Sequence, residues 1–135
     1  MDRLTPQRRS ALMSRIREKN TAPEWKLRRA LHRLGYRYRL HVRALPGCPD
    51  LVFPARKKII LVNGCFWHYH IKCKLGRLPK SNLSFWKPKL EENRKRDRRN
   101  IRRLRKLGWG VLVVWQCRLK YLTDLMPRIT QFLES

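Results

Sequence analysis

The chain has 135 residues, and its 34 Lys and Arg against 9 Asp and Glu give a formal charge of +25. That length supports one domain with a real core and is short for two, while 42% hydrophobic residues with 10% aromatics exclude a disordered basic tail. The charge calls for a polyanionic partner, nucleic acid ahead of a membrane surface, since no apolar run approaches ~18 residues.

Met1-Asp2-Arg3-Leu4-Thr5-Pro6 carries no apolar leader, so secretion is not expected. Thr5-Pro6 opens a predicted helix over 5–17, with Thr as cap and Pro at the first helical position. Leu12, Met13 and Ile16 make a thin apolar face among arginines, so residues up to about 20 are either a surface helix on the core or a basic arm along a DNA groove. Thr21-Ala22-Pro23-Glu24 has capping-box spacing, and Leu27, Ala30, Leu31 and Leu34 follow at i, i+3, i+4 and i+7. This predicts a core helix ended by Gly35, with Glu24 as a capping residue.

Residues 36–42 alternate with period two and predict a half-exposed strand with a basic outer face. Pro46-Gly47-Cys48-Pro49 is a turn that delivers Asp50 onto the strand Leu51-Val52-Phe53, which Pro54 ends. The unbroken apolar run Lys58-Ile59-Ile60-Leu61-Val62 predicts a strand at the sheet centre. Asp50, starting one strand, and Asn63-Gly64, ending its neighbour, are expected to meet.

Residues 74–84 form a basic connection, and a long helix then runs from Phe85-Trp86, with Pro88 in its first turn, to Leu107-Gly108. At ~100° per residue Trp86, Leu90, Asn93, Asp97, Ile101 and Leu104 share one stripe. Asp97 in the middle of that stripe demands a histidine or arginine partner inside the fold, because an isolated buried charge is expensive. Residues 109–115 predict a second central strand. Thr123 then caps a last helix with Leu125, Met126, Ile129, Phe132 and Leu133 on its apolar side. With no internal repeat and no long linker, the expectation is a single mixed α/β (α+β) domain over 1–135, a central mixed sheet flanked by helices.

Cys48, Cys65, Cys73 and Cys117 could pair as disulfides, but cysteines clustered with histidine point to a metal. Zinc takes four ligands in a tetrahedron, and Cys65, His70, Cys73 and Cys117 supply three thiolates and an imidazole. His68 in place of His70, or Cys48 in place of another cysteine, are the alternatives. A complete set leaves no position for water, which makes the zinc structural.

Phosphodiester hydrolysis needs a divalent cation and a base that activates water. Magnesium prefers oxygen donors: the Asp50 carboxylate and a main-chain carbonyl near Val62 qualify. An Asp on the first strand of a strand-turn-strand is the core of restriction-endonuclease folds, whose usual acid-x-Lys is here Asn63-Gly64-Cys65. His68, oriented by Asp97, is the natural substitute base.

Together, Thr21-Ala22-Pro23-Glu24, Pro46-Gly47-Cys48-Pro49-Asp50, Asn63-Gly64-Cys65-Phe66-Trp67-His68, Phe85-Trp86, Asn93, Arg96-Asp97-Arg98-Arg99, Leu107-Gly108-Trp109 and Val114-Trp115-Gln116-Cys117 resemble the very-short-patch-repair (Vsr) endonuclease family across nearly the whole chain. The resemblance implies a restriction-endonuclease-like fold with a structural zinc. It also implies a bacterial, magnesium-dependent enzyme of the cytoplasm and nucleoid. Such enzymes nick double-stranded DNA 5′ to the thymine of T:G mismatches, which arise by 5-methylcytosine deamination beside a cytosine-5 DNA methyltransferase.

Residue by residue, the resemblance implies Asp50 as magnesium ligand, His68 as base paired with Asp97, and Glu24 supporting the metal's water shell. It likewise implies the zinc set Cys65, His70, Cys73 and Cys117. Phe66, Trp67 and Trp86 match an aromatic wedge between base pairs, Met13 an apolar residue on the opposite groove side, and Lys89 and Asn93 contacts to the mispair. Wedge insertion costs a few kcal/mol of unstacking per step, which a wobble pair has already partly lost. The chain departs from the family pattern at His68-Tyr69-His70-Ile71-Lys72-Cys73, one residue longer than His-x-His-x-Cys, and at Val62 and Asn63, where a polar residue and a histidine are common. A monomer suffices for a single nick. The competing readings are another nuclease on the same fold and a non-catalytic, zinc-stabilised DNA-binding module.

Overall fold

The computed structural model describes residues 22–70, 73, 78–79 and 81–135. The helix expected over 5–17, the basic arm and Met13 lie outside the described residues, as does most of the connection over 74–84.

Helix α1 (Ala22–Arg33) forms because its apolar positions recur on one face, and Leu27 and Leu31 are fully buried. It ends as Gly35 predicts. Gly35 takes φ +92°, its N–H donates to the His32 carbonyl, and the Tyr36 N–H donates to Leu31, the paired bonds of a Schellman motif.

The sheet has four strands in the order β1-β2-β3-β4: β1 (Arg39–Leu40), β2 (Leu51–Phe53), β3 (Lys58–Asn63) and β4 (Gly110–Trp115). β1–β2 and β2–β3 are antiparallel, and β3–β4 is parallel with Val62 opposite Val114. The expected strand over 36–42 shrinks to two paired residues. His41 takes φ +47°, which turns the chain out of the ladder, while Tyr36 and Tyr38 pack edge-on against Phe53 instead of extending the pairing.

β3 is interior as expected. β4 is not central: among the described residues no strand covers its outer side, and Val111, Leu112 and Val113 are only half-buried. Its apolar run reflects helix cover on the sheet faces rather than a strand on each side.

The long helix α2 (Leu83–Lys106) starts two residues before Phe85, which puts Pro88 in its second turn rather than the first; it buries Trp86, Leu90, Asn93 and Leu104, leaving Asp97 and Ile101 half-buried on the same stripe. A short helix α3 (Gln116–Leu119) follows β4 directly, and α4 (Leu122–Glu134) closes the chain over Ile129 and Leu133. Tyr121, not Thr123, precedes the first residue of α4, so Thr123 lies inside the first turn and does not cap it. One core cluster joins α1, α3 and α4 to Leu51, Phe53, Ile60, Val62 and Val114. A second, of Val52, Ile59 and Leu104, seats α2 on the other face. The architecture is the expected mixed sheet between helices, with the ends of β2 and β3 facing α2 across a cleft.

Candidate active site and metal cluster

The β2–β3 pairing sets Leu51 opposite Ile60, and this brings Asp50, one residue earlier, beside the end of β3. The Val62 N–H donates to Asp50 Oδ2 at 2.7 Å, so the main chain holds one oxygen of a largely buried carboxylate. Asp50 and the end of β3 thus meet as the sequence implies.

Beyond β3 the chain turns at Gly64. His68 lies in that turn and reaches α2, where its Nδ1 sits 2.6 Å from Asp97 Oδ2. A carboxylate only accepts, so the ring proton belongs on Nδ1 and the Nε2 lone pair is left available in the neutral ring. This is the partner that the inward position of Asp97 demanded.

Asp50, Val62, Asn63, His68 and Asp97 line a single cleft of about 650 Å³, walled by Arg96, Arg99, Asn100 and Arg103 of α2. Asn100 and Arg103 were not named by sequence reasoning, which had Arg96 and Arg99 only within a family motif and Cys48 as an alternative zinc ligand; helical spacing on the Asp97 side of α2 could have found the first two. Gly47 is required where the turn meets α2. Its φ is +78°, and a Cβ there would lie 2.9 Å from Asn100 Nδ2.

Thr21, the other half of the expected capping box, lies outside the described residues; Glu24 is 2% exposed and its Oε2 lies 3.1 Å from Arg28 NH2, one turn along α1. Its ligand atom, with those of His41 and Asp50, belongs to a group lying within 4.8 Å of one another. Arg28 and His41 are further residues that the sequence reading passed over.

The second cluster is Cys65, His70, Cys73 and Cys117, whose ligand atoms also lie within 4.8 Å of one another. None of the four cysteines forms a disulfide. The turn is folded to gather them: His70 N–H donates to the Cys65 carbonyl at 2.9 Å, and Cys65 N–H to the Gln116 side chain at 3.3 Å. The His70 ring stacks on Trp115 at 4.1 Å with Nδ1 3.6 Å from Cys117 Sγ. Burial, reinforced by the neighbouring thiols of Cys73 and Cys117, pushes Cys65 up to about 12. An ion-free Cys65 therefore stays a thiol at neutral pH, and only a bound cation makes its thiolate favourable. Three thiols and an imidazole so arranged could hold zinc: bonds of ~2.3 Å place tetrahedral sulfurs roughly 3.8 Å apart. Of the alternatives, His68 is committed to Asp97 and Cys48 lines the cleft.

The aromatic residues form one stack. Phe66 lies 5.2 Å from Trp67 and 5.3 Å from Trp86, and Phe85 lies 5.0 Å from Trp86, all edge to face. Trp86 is buried, Phe66 and Trp67 are half-buried, and Phe85 is exposed. Lys89 Nζ stands 5.5–5.9 Å from the rings of Phe85, Trp86 and Trp67. The buried Asn93 amide donates to the Trp67 carbonyl at 3.1 Å, holding the turn that bears Phe66, Trp67 and His68.

An acid on a strand end, an imidazole–carboxylate pair and a wall of arginines around one cleft are the equipment of an enzyme that cuts phosphodiesters. Residues 1–75 match the family described as DNA mismatch endonuclease Vsr. The type II nicking enzyme V.XorIIP of Xanthomonas oryzae pv. oryzae is 52% identical over 133 residues, covering 98% of this chain and 97% of that one. The DNA mismatch endonuclease Vsr of Escherichia coli is 42% identical over 112 residues, 83% of this chain and 71% of its own. The type II nicking enzyme V.NmeAIP of Neisseria meningitidis is 41% identical over 119 residues, 88% and 84% of the two chains. The chain belongs to the Vsr family and is a DNA endonuclease.

Proposed function

We infer that the protein nicks double-stranded DNA on the 5′ side of the thymine in T:G mispairs, using magnesium and His68 as general base. The observation that carries this reading is the 2.6 Å His68–Asp97 pair opening onto the same cleft as Asp50. Of the three ligand atoms grouped here, those of Asp50 and Glu24 are the hard oxygens that magnesium prefers, and the third is a His41 nitrogen. In an extended strand a residue's N–H and C=O leave on the same side, so the Val62 carbonyl shares the edge on which its N–H meets Asp50. Asp50 and the Val62 carbonyl would hold magnesium, which would supply neutralisation of the charge building on the phosphate oxygens.

His68 Nε2 takes the proton of the attacking water, and Asp97 steadies the imidazolium that results. Arg96, Arg99 and Arg103 hold the phosphates along the cleft wall. Phe66 and Trp67, backed by the buried Trp86, form the wedge. Lys89 and Asn93 contact the mispair, Asn93 also holding the wedge turn through the Trp67 carbonyl, and Met13 meets the DNA from the opposite groove side. Zinc at Cys65, His70, Cys73 and Cys117 holds that turn against β4. The names of the relatives, mismatch endonuclease and nicking enzyme, support a single-strand cut. The protein works as a monomeric, single-domain enzyme of the bacterial cytoplasm and nucleoid, functionally linked to a cytosine-5 DNA methyltransferase.

The test is strand-mapped nicking of T:G-mismatched against fully paired duplexes with magnesium. Nicking confined to the thymine strand of the mismatch is expected. Equal cutting of both duplexes would make this another nuclease on the same fold, and Asp50→Ala that still nicks would remove the metal assignment.

A further inference from the structure

Each oxygen of the Asp50 carboxylate has a neighbour from a different segment of the chain. Oδ2 is held by the Val62 N–H; Oδ1 faces His41, whose Nδ1 is 3.6 Å away, within ion-pair range and just beyond hydrogen-bond length. His41 reaches this position because its backbone leaves the strand with φ +47°, a region where histidine is one of the better-tolerated residues. Its N–H donates to the Asp50 carbonyl at 3.0 Å, so the two residues are tied by main chain as well.

Behind the ring, Arg28 NH2 lies 3.1 Å from His41 Nε2. A guanidinium only donates, so Nε2 must be the accepting nitrogen, and the ring proton lies on Nδ1, aimed at Asp50. Arg28 in turn pairs with Glu24 at 3.1 Å, both almost fully buried. The Tyr38 hydroxyl also donates to the Arg28 carbonyl at 2.9 Å. A buried ion pair inside the fold is retained at a desolvation cost, which is easiest to understand where its orientation matters.

We propose that His41 is a positioning residue for Asp50, the last member of a relay Glu24–Arg28–His41–Asp50 through which helix α1 sets the orientation of the metal-binding carboxylate. The inference rests on the assignment of Asp50 as the cation ligand. It gives Glu24 a route to the site that passes through Arg28. A direct role for His41 as a ligand is disfavoured by the same geometry: a cation at Nδ1 would move the ring proton to Nε2, pointing a donor at the donor Arg28. Nothing comparable opposes an imidazole whose Nδ1–H faces the carboxylate at 3.6 Å and orients it electrostatically.

Glutamine can imitate both sides of this histidine, accepting from Arg28 with its oxygen and turning its N–H₂ toward Asp50, whereas leucine can do neither. The experiment measures Mn²⁺ binding to the zinc-replete protein by electron paramagnetic resonance of the free ion, with Mg²⁺ as competitor. It compares the wild type, His41→Gln, His41→Leu and Asp50→Ala, with DNA binding in chelator and thermal melting as controls for folding. His41→Gln is expected within about threefold of wild type for both ions, and His41→Leu weaker by about tenfold or more for both, as when an orienting partner of a metal ligand is lost. DNA binding without metal should be unchanged in each.

Wild-type affinity in His41→Leu, or equal weakening in Gln and Leu, would overturn the relay. A His41→Gln protein that loses Mn²⁺ but keeps Mg²⁺ would make the imidazole itself a ligand, also overturning it. Loss of binding in Asp50→Ala with an unaffected His41→Leu would refute the relay alone. Binding that survives Asp50→Ala would refute the assignment of Asp50 beneath it.

Discussion

Replacing Asp97 with asparagine tests the catalytic reading at its most constrained contact. The His68–Asp97 separation is 2.6 Å, and the two side chains are 20% and 19% exposed, so solvent screens the pair only in part. A hydrogen bond to a charged group is worth about 1.5–3 kcal/mol, and each 1.36 kcal/mol is tenfold in rate, so losing the carboxylate charge alone costs about 10- to 150-fold in kcat. Asparagine can present its amide N–H₂ to Nδ1, which moves the ring proton to Nε2 and removes the base from the cleft. Loss of a positioned base costs about 10²–10⁴-fold. The expected fall for Asp97→Asn is therefore about 10²–10³-fold. Single-turnover nicking of a T:G duplex with saturating magnesium reads this directly. Metal-free DNA binding should stay within about twofold, and stability should change by no more than about 1 kcal/mol for a partly exposed pair. Nicking within threefold of wild type would mean that His68 is not the base or that Asp97 does not set its tautomer.

Cys117→Ser should lower zinc content below one equivalent by elemental analysis and destabilise the fold by about 4 kcal/mol or more, as loss of a metal site does. Unchanged metal content and melting would remove this cysteine from the cluster. Trp67→Ala should slow nicking of T:G duplexes by about 5- to 150-fold, from ~1–3 kcal/mol of base stacking, with little effect on binding to paired DNA. An unchanged mismatch preference would make the ring part of the core. Gly47→Ala places a Cβ 2.9 Å from Asn100 Nδ2 at φ +78° and should cost about 1–3 kcal/mol by denaturant unfolding. A neutral result would show that the turn can relax away from α2.

Much of the scaffold was legible because short-range periodicity carries it. The i, i+3, i+4 spacing of Leu27, Ala30 and Leu31 suffices for α1, and the apolar run at 58–62 suffices for a buried β3. The inward stripe of α2 was informative even in its anomaly, since Asp97 announced a partner before one was known. What local pattern could not supply was the occupant of the space across each face. The choice between His68 and His70 as zinc ligand turned on a fold of the 64–70 turn that sends one ring to α2 and stacks the other on Trp115. The edge position of β4, the truncation of β1 at His41 and the start of α4 at Leu122 were likewise invisible.

The sequence by itself determined the charge that requires a polyanion, the helices and strands with strong periodicity, and the inventory of acids, imidazoles and thiols. Tertiary structure alone decided which of these meet. His68 and Asp97 are separated by 29 residues, and Arg28 and His41 by 13. Such encounters depend on strand register and on a few left-handed backbone positions, where a small angular change swings a side chain by several ångströms. Periodicity reports only how a residue faces its own element, so the partners across the cleft had to be found in three dimensions.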